Sequence, residues 1–283
     1  MKLSVIIPAY NEEGNIPELI KKIKEVLSGY EKEIILVDDG STDNSFKVAL
    51  DMGIKVIKHP YNIGNGAAVK TGIRAASLDT IVLLDADLQH PPEEILFLLK
   101  EAESYDMIVG SRTKRSFGRR DIANRVFNAI ASYVTGRKIL DLTSGFRVVK
   151  TEICKSFLYL LPNRFSYPTT LTLAFLKSGR SVKFIPVEIN SRIKGKSKIS
   201  PFKDGMRFML IIAKIATIYS PFKIFLPVSL FFFLTGVFYY LYTYISAHRF
   251  TNMGLLLITT SVIIFMLSLI AEQVAQLHIK ESE

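Results

Sequence analysis

The stretch TIVLLDADLQHPPEE, residues 80–94, decides the fold. Its first part, Thr80–Leu84, predicts a buried strand, because apolar residues follow one another without the alternation of a half-exposed strand. The strand runs into two aspartates one residue apart, Asp85 and Asp87, and the double proline behind them introduces a predicted helix over Glu93–Ala102. A buried strand that ends in carboxylates places acidic side chains at the edge of a sheet, where open α/β sheets bind their ligands.

The same alternation of strand and helix continues on both sides of this stretch. Further strands are predicted over Leu3–Ile7, Ile34–Val37, Lys55–Ile57, Met107–Val109 and Val182–Pro186, and helices over Ile16–Leu27, Asp43–Leu50, Ala67–Ala76, Asp121–Tyr133 and Pro168–Lys177. The segment DLTSGFRVV, residues 141–149, is a polar loop that enters one more strand. Nearly continuous apolar strands separated by helices predict an α/β fold with a parallel sheet that is covered on both faces.

Polar clusters follow three of these strands: YNEE (10–13), DDGSTDNS (38–45) and DADLQH (85–90). Because the carboxyl ends of parallel strands meet at one edge of a sheet, the clusters predict a single site. Two carboxylates spaced as Asp85 and Asp87 can hold a hard divalent cation that also binds a diphosphate, with Gln89 as a neutral oxygen ligand. On its own, such a pair is more often two exposed aspartates.

The other clusters leave more than one interpretation open. A carboxylate in Asp38-Asp39 can accept the N–H of a nucleobase or the ribose hydroxyls, but the same segment suits an Asx turn before the next helix. PAYNE, residues 8–12, can form a wall of a nucleoside pocket. Gly64 and Gly66 resemble the start of a dinucleotide fingerprint, yet Val69 stands where the third glycine belongs, which disfavours a hydride-transfer enzyme.

The C-terminal part of the chain is far more apolar than the rest. Residues 224–247 and 250–271 contain no charged side chain, and each run exceeds the roughly 20 apolar residues that cross a hydrocarbon core. Only His248 and Arg249 separate the two runs. The runs therefore predict an antiparallel hairpin whose two ends lie on the same side of the membrane. Two buried core helices are the alternative, but nothing else in the chain is large enough to surround them.

A basic segment precedes the hairpin. Six lysines and arginines stand against one aspartate between Arg192 and Arg207, which predicts that this side is cytoplasmic. Residues 201–220 have a basic helical face, which suits an interfacial helix in the headgroup region or, alternatively, an ordinary helix packed on the first domain. The expected organisation is an α/β domain over 1–200, the interfacial helix over 201–220, and the hairpin with a short cytoplasmic tail over 221–283. With these spans, the net charge of +10 favours an anionic membrane surface over nucleic acid.

Seven motifs together resemble a known family: PAYNEE (8–13), VDDGSTDNS (37–45), NIGNGAAVKTGI (62–73), DADLQHPPE (85–93), GSR (110–112), DLTSGFR (141–147) and RIKGKSK (192–198). Their order is similar to that of family 2 glycosyltransferases. The resemblance is greatest to the polyprenyl-phosphate branch, which includes dolichol-phosphate mannosyltransferase and bacterial polyprenyl-phosphate glucosyltransferases. It covers most of residues 3–200, and the two-span hairpin is similar to that of the bacterial and archaeal membrane members.

The resemblance implies a GT-A (Rossmann-like) fold and a hexosyltransferase that depends on Mg²⁺ or Mn²⁺. Such an enzyme moves a sugar, with inversion, from a UDP- or GDP-sugar to a polyprenyl phosphate (dolichyl or undecaprenyl) in the lipid bilayer. The implied location is the cell membrane, with the catalytic domain on its cytoplasmic face. Short hairpins of this kind often associate, which leaves a homo-oligomer open.

The resemblance also assigns residues. The metal positions are Asp85, Asp87 and Gln89, and the nucleotide positions are Pro8, Ala9, Tyr10, Glu12, Asp39 and Asp85. The acceptor phosphate positions are Arg112, Arg120, Arg192 and Lys198, together with Asn124, which stands where the family often has serine. The expected catalytic residues are Asp87, Asp141 and Arg120. Because the acceptor is already an anion, no strong general base is expected, and Asp141 is predicted to position or tune the acceptor.

Three alternatives are weaker. A processive polysaccharide synthase shares the donor site but needs a tryptophan-containing acceptor motif, and the chain has no tryptophan. Two spans are also too few to form a translocation channel. A transferase for a soluble or protein acceptor leaves the hairpin without a purpose. A non-catalytic subunit that recruits lipid carriers is the alternative from a different class, although the intact DADLQ segment argues against it.

Overall fold

One sheet of seven strands forms the centre of the N-terminal unit. The computed structural model describes residues 1–112, 119–164, 166–188, 201–249 and 251–282. The strands are β1 (Lys2–Ala9), β2 (Glu31–Asp38), β3 (Lys55–Lys58), β4 (Thr80–Leu83), β5 (Met107–Arg112), β6 (Arg147–Lys150) and β7 (Val182–Val187). The helices are α1 (Ile16–Val26), α2 (Ser45–Asp51), α3 (Asn65–Ala75), α4 (Ile95–Leu99), α5 (Arg119–Thr135), α6 (Thr151–Ser156), α7 (Tyr167–Lys177), α8 (Pro201–Tyr219), α9 (Phe222–Ala247) and α10 (Asn252–Ser282).

The sheet is mixed, which corrects the prediction of a parallel sheet. Its strand order is β3-β2-β1-β4-β6-β5-β7, and β6 runs antiparallel to both β4 and β5, while the other pairs are parallel. Arg147, the first residue of β6, pairs with Leu83 and Val109 near the ends of its neighbours. The reversal therefore brings the loop before β6 to the edge where β1, β2 and β4 end.

Both faces of the sheet are covered, as the sequence predicts. Successive residues of β1 point to opposite faces, so Val5 and Ile7 belong to one hydrophobic core and Ile6 to the other. Helix α1 packs on the first core through apolar residues at helical spacing, and α3 and α7 pack on the second. Full burial of each such aliphatic side chain contributes about 1.5–3 kcal/mol. The two cores hold the strand ends in fixed positions, and the α/β prediction is confirmed.

Helices α9 and α10 form an antiparallel hairpin in the C-terminal unit. Two segments, Phe222–Ser246 and Asn252–Gln276, are long and apolar enough to cross a membrane, and only 11% and 17% of their most apolar windows are buried. The helices touch through small groups: Gly236 lies against Ile258, and Ser229 Oγ donates to the carbonyl of Ser261 at 2.9 Å. The predicted spans, 224–247 and 250–271, fall within these helices except at the connection, and α10 continues beyond the predicted end.

The chain divides into two compact units, Met1–Phe208 and Met209–Glu283, so the division falls within α8. Helix α8 itself extends over Pro201–Tyr219, close to the predicted interfacial segment. The domain boundaries at 200 and 220, and the interfacial position of this helix, stay predictions.

Candidate active site

A cleft of about 510 Å³ opens at the carboxyl ends of β1, β2 and β4. Because these strands are adjacent and parallel, the segments that follow them meet at one edge. The cleft is lined by Pro8, Ala9, Tyr10, Glu12, Asp39, Asn62, Asn65, Ala68, Asp85, Ala86 and Asp87. The structure therefore brings together all six residues that were predicted to bind the nucleotide, together with Asp87, which was predicted to bind the metal. Their roles stay predictions.

Hydrogen bonds join the loop after β1 to the loop after β2. Asn11 adopts a left-handed conformation, with φ of 58°, and its side-chain oxygen accepts a hydrogen bond from the Thr42 N–H at 2.8 Å. The N–H groups of Asn11 and Glu12 donate to the hydroxyls of Ser41 and Ser45 at 2.9 and 2.8 Å. These bonds hold the two sides of the cleft at a fixed separation before any ligand binds.

The two aspartates, one at the end of β2 and one directly after it, have different surroundings, and of the two interpretations of this segment the structure shows the turn. Asp38 is fully buried, and its Oδ1 accepts the Ser41 N–H at 3.1 Å, which forms the predicted turn. Asp39 lines the cleft. Its Oδ1 accepts the Ile63 N–H at 3.1 Å and its Oδ2 accepts the Gly64 N–H at 2.8 Å. Asp39 thus fixes the loop over residues 62–66. This glycine loop forms another part of the cleft wall.

The glycine loop packs against a second stretch of backbone instead of offering a free helix N-terminus. The N–H groups of Gly66 and Ala67 donate to the carbonyls of Arg164 and Asn163 at 3.2 and 2.6 Å. A Cβ on Gly66 would collide with the carbonyl oxygen of Pro162. Position 66 therefore requires glycine, because the two stretches of backbone lie too close for a side chain. The N–H groups of Gly66 and Ala67 are already used, so they are not available to a phosphate.

Asp85 and Asp87 supply two carboxylates to the cleft. Asp87 Oδ1 accepts the N–H of Gln89 at 3.2 Å, across Leu88, whose φ is 57°. Within the described part of the chain, no three or more His, Cys, Asp or Glu side chains are arranged so that they could hold a metal ion by themselves. The donor set fits Mg²⁺ or a similar ion, because such ions are commonly held by one or two carboxylates together with phosphate oxygens and water.

The loop before β6 supports Asp85 from behind. A Cβ on Gly145 would lie 2.7 Å from Asp85 Oδ2 and 3.0 Å from the Tyr167 hydroxyl, so only glycine leaves room for this carboxylate. Burial raises the pKa of Tyr167, and the charge of Asp85 raises it further. Arg147 is fully buried, its Nε donates to the carbonyl of Ser144 at 2.8 Å, and burial lowers its pKa to about 10.

His90 lies beside the aspartates and was not among the predicted site residues. It is buried and stacks on Phe146 with ring centroids 5.1 Å apart. Burial lowers the pKa of His90 to about 4; the charge of Arg112 lowers it as well, and those of Asp87 and Asp141 oppose the shift. The imidazole is therefore neutral near pH 7.

Arg112 and Asp141 form a bidentate ion pair. Arg112 Nε and Nη2 donate to Asp141 Oδ2 and Oδ1 at 2.7 and 2.9 Å, and Nη2 also donates to the Thr143 hydroxyl. Burial alone would raise the pKa of Asp141, but the hydrogen bonds and charge of Arg112, with the Thr143 N–H, outweigh it and hold the pKa below its usual range. Asp141 is buried while Arg112 is exposed, so the arginine is the member of the pair that solvent reaches.

The structure does not test the other residues predicted to contact the acceptor phosphate. Arg192 and Lys198 lie outside the residues that the structure describes. Arg120 belongs to α5, but its side chain is also outside the described set. Asn124 is half-buried on the same helix. Their proposed contact with an acceptor phosphate stays a prediction.

Sequence reasoning missed His59 and Thr71, which lie behind Asp39. His59 directly follows β3, so the rule that site residues follow strand ends applies to it, but that rule does not indicate that His59 meets Asp39. Thr71 is within α3, and no local pattern distinguishes it from an ordinary helical threonine. Gly145 and Tyr167 were missed because they reach Asp85 only through the reversed strand β6.

The fold and the cleft define an α/β protein with a polar cleft at the carboxyl edge of its sheet. Residues 4–158 match glycosyl transferase family 2, and residues 220–277 match the GtrB C-terminal hairpin. The chain therefore belongs to glycosyl transferase family 2, and the resemblance read from its motifs is confirmed. The hairpin is typical of polyprenyl-phosphate glycosyltransferases.

One relative and two solved structures illustrate the likeness. The uncharacterized protein MJ1222 of Methanocaldococcus jannaschii is 33% identical over 230 residues, which cover 76% of this chain and 93% of that protein. Glucosyl-3-phosphoglycerate synthase from Mycobacterium tuberculosis has a similar fold at 20% identity in two complexes. The complex with Mn²⁺, UDP and phosphoglyceric acid has a TM-score of 0.62 over 76% of this chain and 78% of that chain. The complex with Mn²⁺ and UDP-glucose has a TM-score of 0.61 over 76% and 79%. The expected GT-A fold is confirmed.

Proposed function

We propose that the protein transfers a sugar, with inversion, from a UDP- or GDP-sugar to a polyprenyl phosphate in the membrane. The observation that carries the proposal is the cleft, where Asp39, Glu12 and Tyr10 lie beside Asp85 and Asp87 at one sheet edge. This arrangement offers separate surfaces to a nucleoside and to a diphosphate. The hairpin supports a lipid acceptor, because a chain held in the bilayer meets a lipid-linked substrate without leaving the membrane surface.

In this proposal Asp85, Asp87 and Gln89 hold a divalent cation, Mg²⁺ or Mn²⁺, on the donor diphosphate. Such an ion neutralises the charge that develops as a nucleoside diphosphate leaves. The synthase named above was solved with Mn²⁺ and UDP, which supports the assignment of a divalent ion. Pro8, Ala9 and Glu12 then form the wall of the nucleoside pocket.

The transfer itself needs little proton chemistry from the protein. An oxygen of the acceptor phosphate attacks the anomeric carbon, the bond from that carbon to the diphosphate breaks, and the nucleoside diphosphate leaves with the electron pair. Because the phosphate is already an anion, the main contributions are in-line placement and charge stabilisation. The Arg112 guanidinium, held by Asp141 in a bidentate pair, is proposed to bind the acceptor phosphate. The catalytic domain is proposed to lie on the cytoplasmic face, because basic residues precede the first span.

Replacing Asp141 with asparagine is expected to raise the KM for the acceptor about tenfold while the KM for the donor stays unchanged, because the charged hydrogen bonds to Arg112 are weakened. Steady-state kinetics with each substrate varied in turn separate the two constants. Asp106→Asn is the matched control, since Asp106 pairs with Lys150 at the start of β5, at the opposite edge of the sheet. Near-normal turnover and acceptor KM in Asp141→Asn would remove this role.

The direct test uses the full chain in detergent with undecaprenyl or dolichyl phosphate, Mn²⁺ and a panel of UDP- and GDP-sugars. Mass spectrometry is expected to detect one glycosyl-phospholipid, and EDTA is expected to abolish it. A parallel reaction offers phosphoglyceric acid as a soluble acceptor. A lipid product that forms without metal contradicts the cation assignment, and a product on phosphoglyceric acid alone contradicts the acceptor. Nucleotide binding without any product on either acceptor favours a non-catalytic subunit that recruits lipid carriers.

A further inference from the structure

His59 lies behind the carboxylate of Asp39 and links it to α3. Both side chains are buried, with exposed fractions of 7% for His59 and 3% for Asp39. His59 Nδ1 is 2.8 Å from Asp39 Oδ1, and Nε2 is 2.9 Å from the Thr71 hydroxyl. Asp39, His59 and Thr71 therefore form a continuous hydrogen-bonded chain from the end of β2 to the middle of α3.

The protonation pattern of this chain follows from its chemistry. A carboxylate only accepts hydrogen bonds, so the ring nitrogen that faces Asp39 carries the proton. In the neutral ring, Nε2 then accepts a hydrogen bond from the Thr71 hydroxyl. A hydroxyl can donate or accept, so Thr71 suits either state of the ring and fixes its orientation in both.

The carboxylate of Asp39 needs such support because its own torsion is soft. Rotation about the bond to an aspartate carboxyl group has broad minima, so packing alone sets the carboxyl plane poorly. Oδ1 accepts from His59 and from the Ile63 N–H, which uses both of its lone pairs. Among the described residues, Oδ2 accepts from the Gly64 N–H alone, which leaves it one lone pair, and Asp39 lines the cleft.

We propose that His59 is a positioning residue for the donor nucleotide. It fixes the carboxyl plane of Asp39 so that the remaining lone pair of Oδ2 accepts one hydrogen bond from the nucleoside, and Thr71 fixes the imidazole. The inference rests on the proposed function, since it takes Asp39 as a nucleotide contact. His59 itself touches no ligand, so its effect is confined to the nucleoside and does not extend to the diphosphate.

The test measures the binding of UDP, GDP and inorganic pyrophosphate to the full chain in detergent by calorimetry. His59→Leu is expected to raise the Kd of the nucleoside diphosphate about tenfold or more, because a hydrogen bond to a charged group loses its donor. Pyrophosphate binding, measured with Mn²⁺ present as for the nucleotides, is expected to change less than about twofold, since the proposed cation at Asp85 and Asp87 holds it. His59→Asn keeps an N–H donor near the position of Nδ1 and is expected to restore most of the affinity.

Two further variants separate positioning from general stability. Thr71→Val removes the hydroxyl that fixes the ring, and a rise of about threefold in the nucleotide Kd is expected. Thr172→Val is the matched control, because Thr172 is a buried helical threonine whose hydroxyl bonds only to the Pro168 carbonyl of its own helix among the described residues. It is expected to leave all Kd values unchanged.

Three outcomes overturn the proposal. If His59→Leu binds nucleotide as the wild type does, His59 has no positioning role. If nucleotide and pyrophosphate lose affinity in parallel, or His59→Asn is as weak as His59→Leu, the histidine serves only the fold. If the wild type binds neither UDP nor GDP, the nucleotide-sugar donor itself is wrong and the role of His59 falls with it.

Discussion

Replacing Asp87 with asparagine is expected to lower kcat/KM for sugar transfer by about a hundredfold or more. The change keeps the size of the side chain and removes one of the two carboxylates that are proposed to hold the cation. A metal ion on a leaving diphosphate is worth several kcal/mol of charge stabilisation, and each 1.4 kcal/mol corresponds to about a factor of ten. The rate of glycosyl-phospholipid formation, followed at several Mn²⁺ concentrations, gives the measurement. Part of the loss is expected to recover at high Mn²⁺, since Asp85 remains.

The loss is expected to be specific to the site, because asparagine keeps the hydrogen bond that residue 87 makes within its own loop. The asparagine side-chain oxygen still accepts the Gln89 N–H, which is the bond that Asp87 makes within its own loop. The unfolding midpoint is therefore expected to stay within about 2 °C of the wild type. Asp51→Asn makes the same chemical change on the exposed end of α2 and is expected to leave the rate unchanged. A variant that transfers sugar at the wild-type rate would exclude Asp87 from the metal site.

The strand-end rule explains why much of the site could be predicted from the sequence. Tyr10, Asp39 and Asp85 each follow an apolar run, and parallel pairing of β2, β1 and β4 brings them to one cleft. The rule needs only the identity and approximate ends of the strands, which composition gives. The hairpin could also be predicted from the sequence, since charge-free runs of this length are typical of membrane-spanning helices.

Strand direction could not be predicted. Strand β6 has two valines between Arg147 and Lys150, a pattern that is the same in both directions, and no turn signal in the sequence distinguishes a parallel from an antiparallel entry. The consequence is local but important, because the reversal places Gly145 against Asp85. The pair Arg112 and Asp141 depends on the same reversal, since 29 residues separate the two side chains and only β6 returns the chain to the end of β5.

Contacts between loops were equally hidden. The glycines at 64 and 66 suggested close backbone approach, but the sequence did not indicate that residues 162–164 make it. His59 behind Asp39 is a similar case, since two side chains 20 residues apart meet only because β2 and β3 pair. Long-range packing decides such contacts, and a single sequence carries no direct record of it.

The glycine loop gives the second large effect: Gly66→Ala is expected to destabilise the protein by about 2 kcal/mol or more. Alanine is otherwise favoured over glycine in a helix by up to about 1 kcal/mol, but the new methyl group would collide with the Pro162 carbonyl oxygen, which is backbone and cannot turn aside. The collision outweighs the helix preference, so the unfolding midpoint of the full chain in detergent is expected to fall by about 4–8 °C. Nucleotide affinity is expected to fall as well, because Asn62 and Asn65 of the same loop line the cleft.

Gly29→Ala is the matched control for this prediction. No heavy atom lies within 4 Å of a Cβ built on Gly29, so its midpoint is expected to stay within about 2 °C of the wild type. A small loss in both variants would mean that residues 162–164 yield to a methyl group, and the contact between the two loops would then contribute little to the cleft. A large loss in Gly66→Ala alone would show that the cleft depends on backbone packed against backbone. In that case the glycine of this motif serves the shape of the nucleotide pocket by excluding a side chain, without itself binding a phosphate.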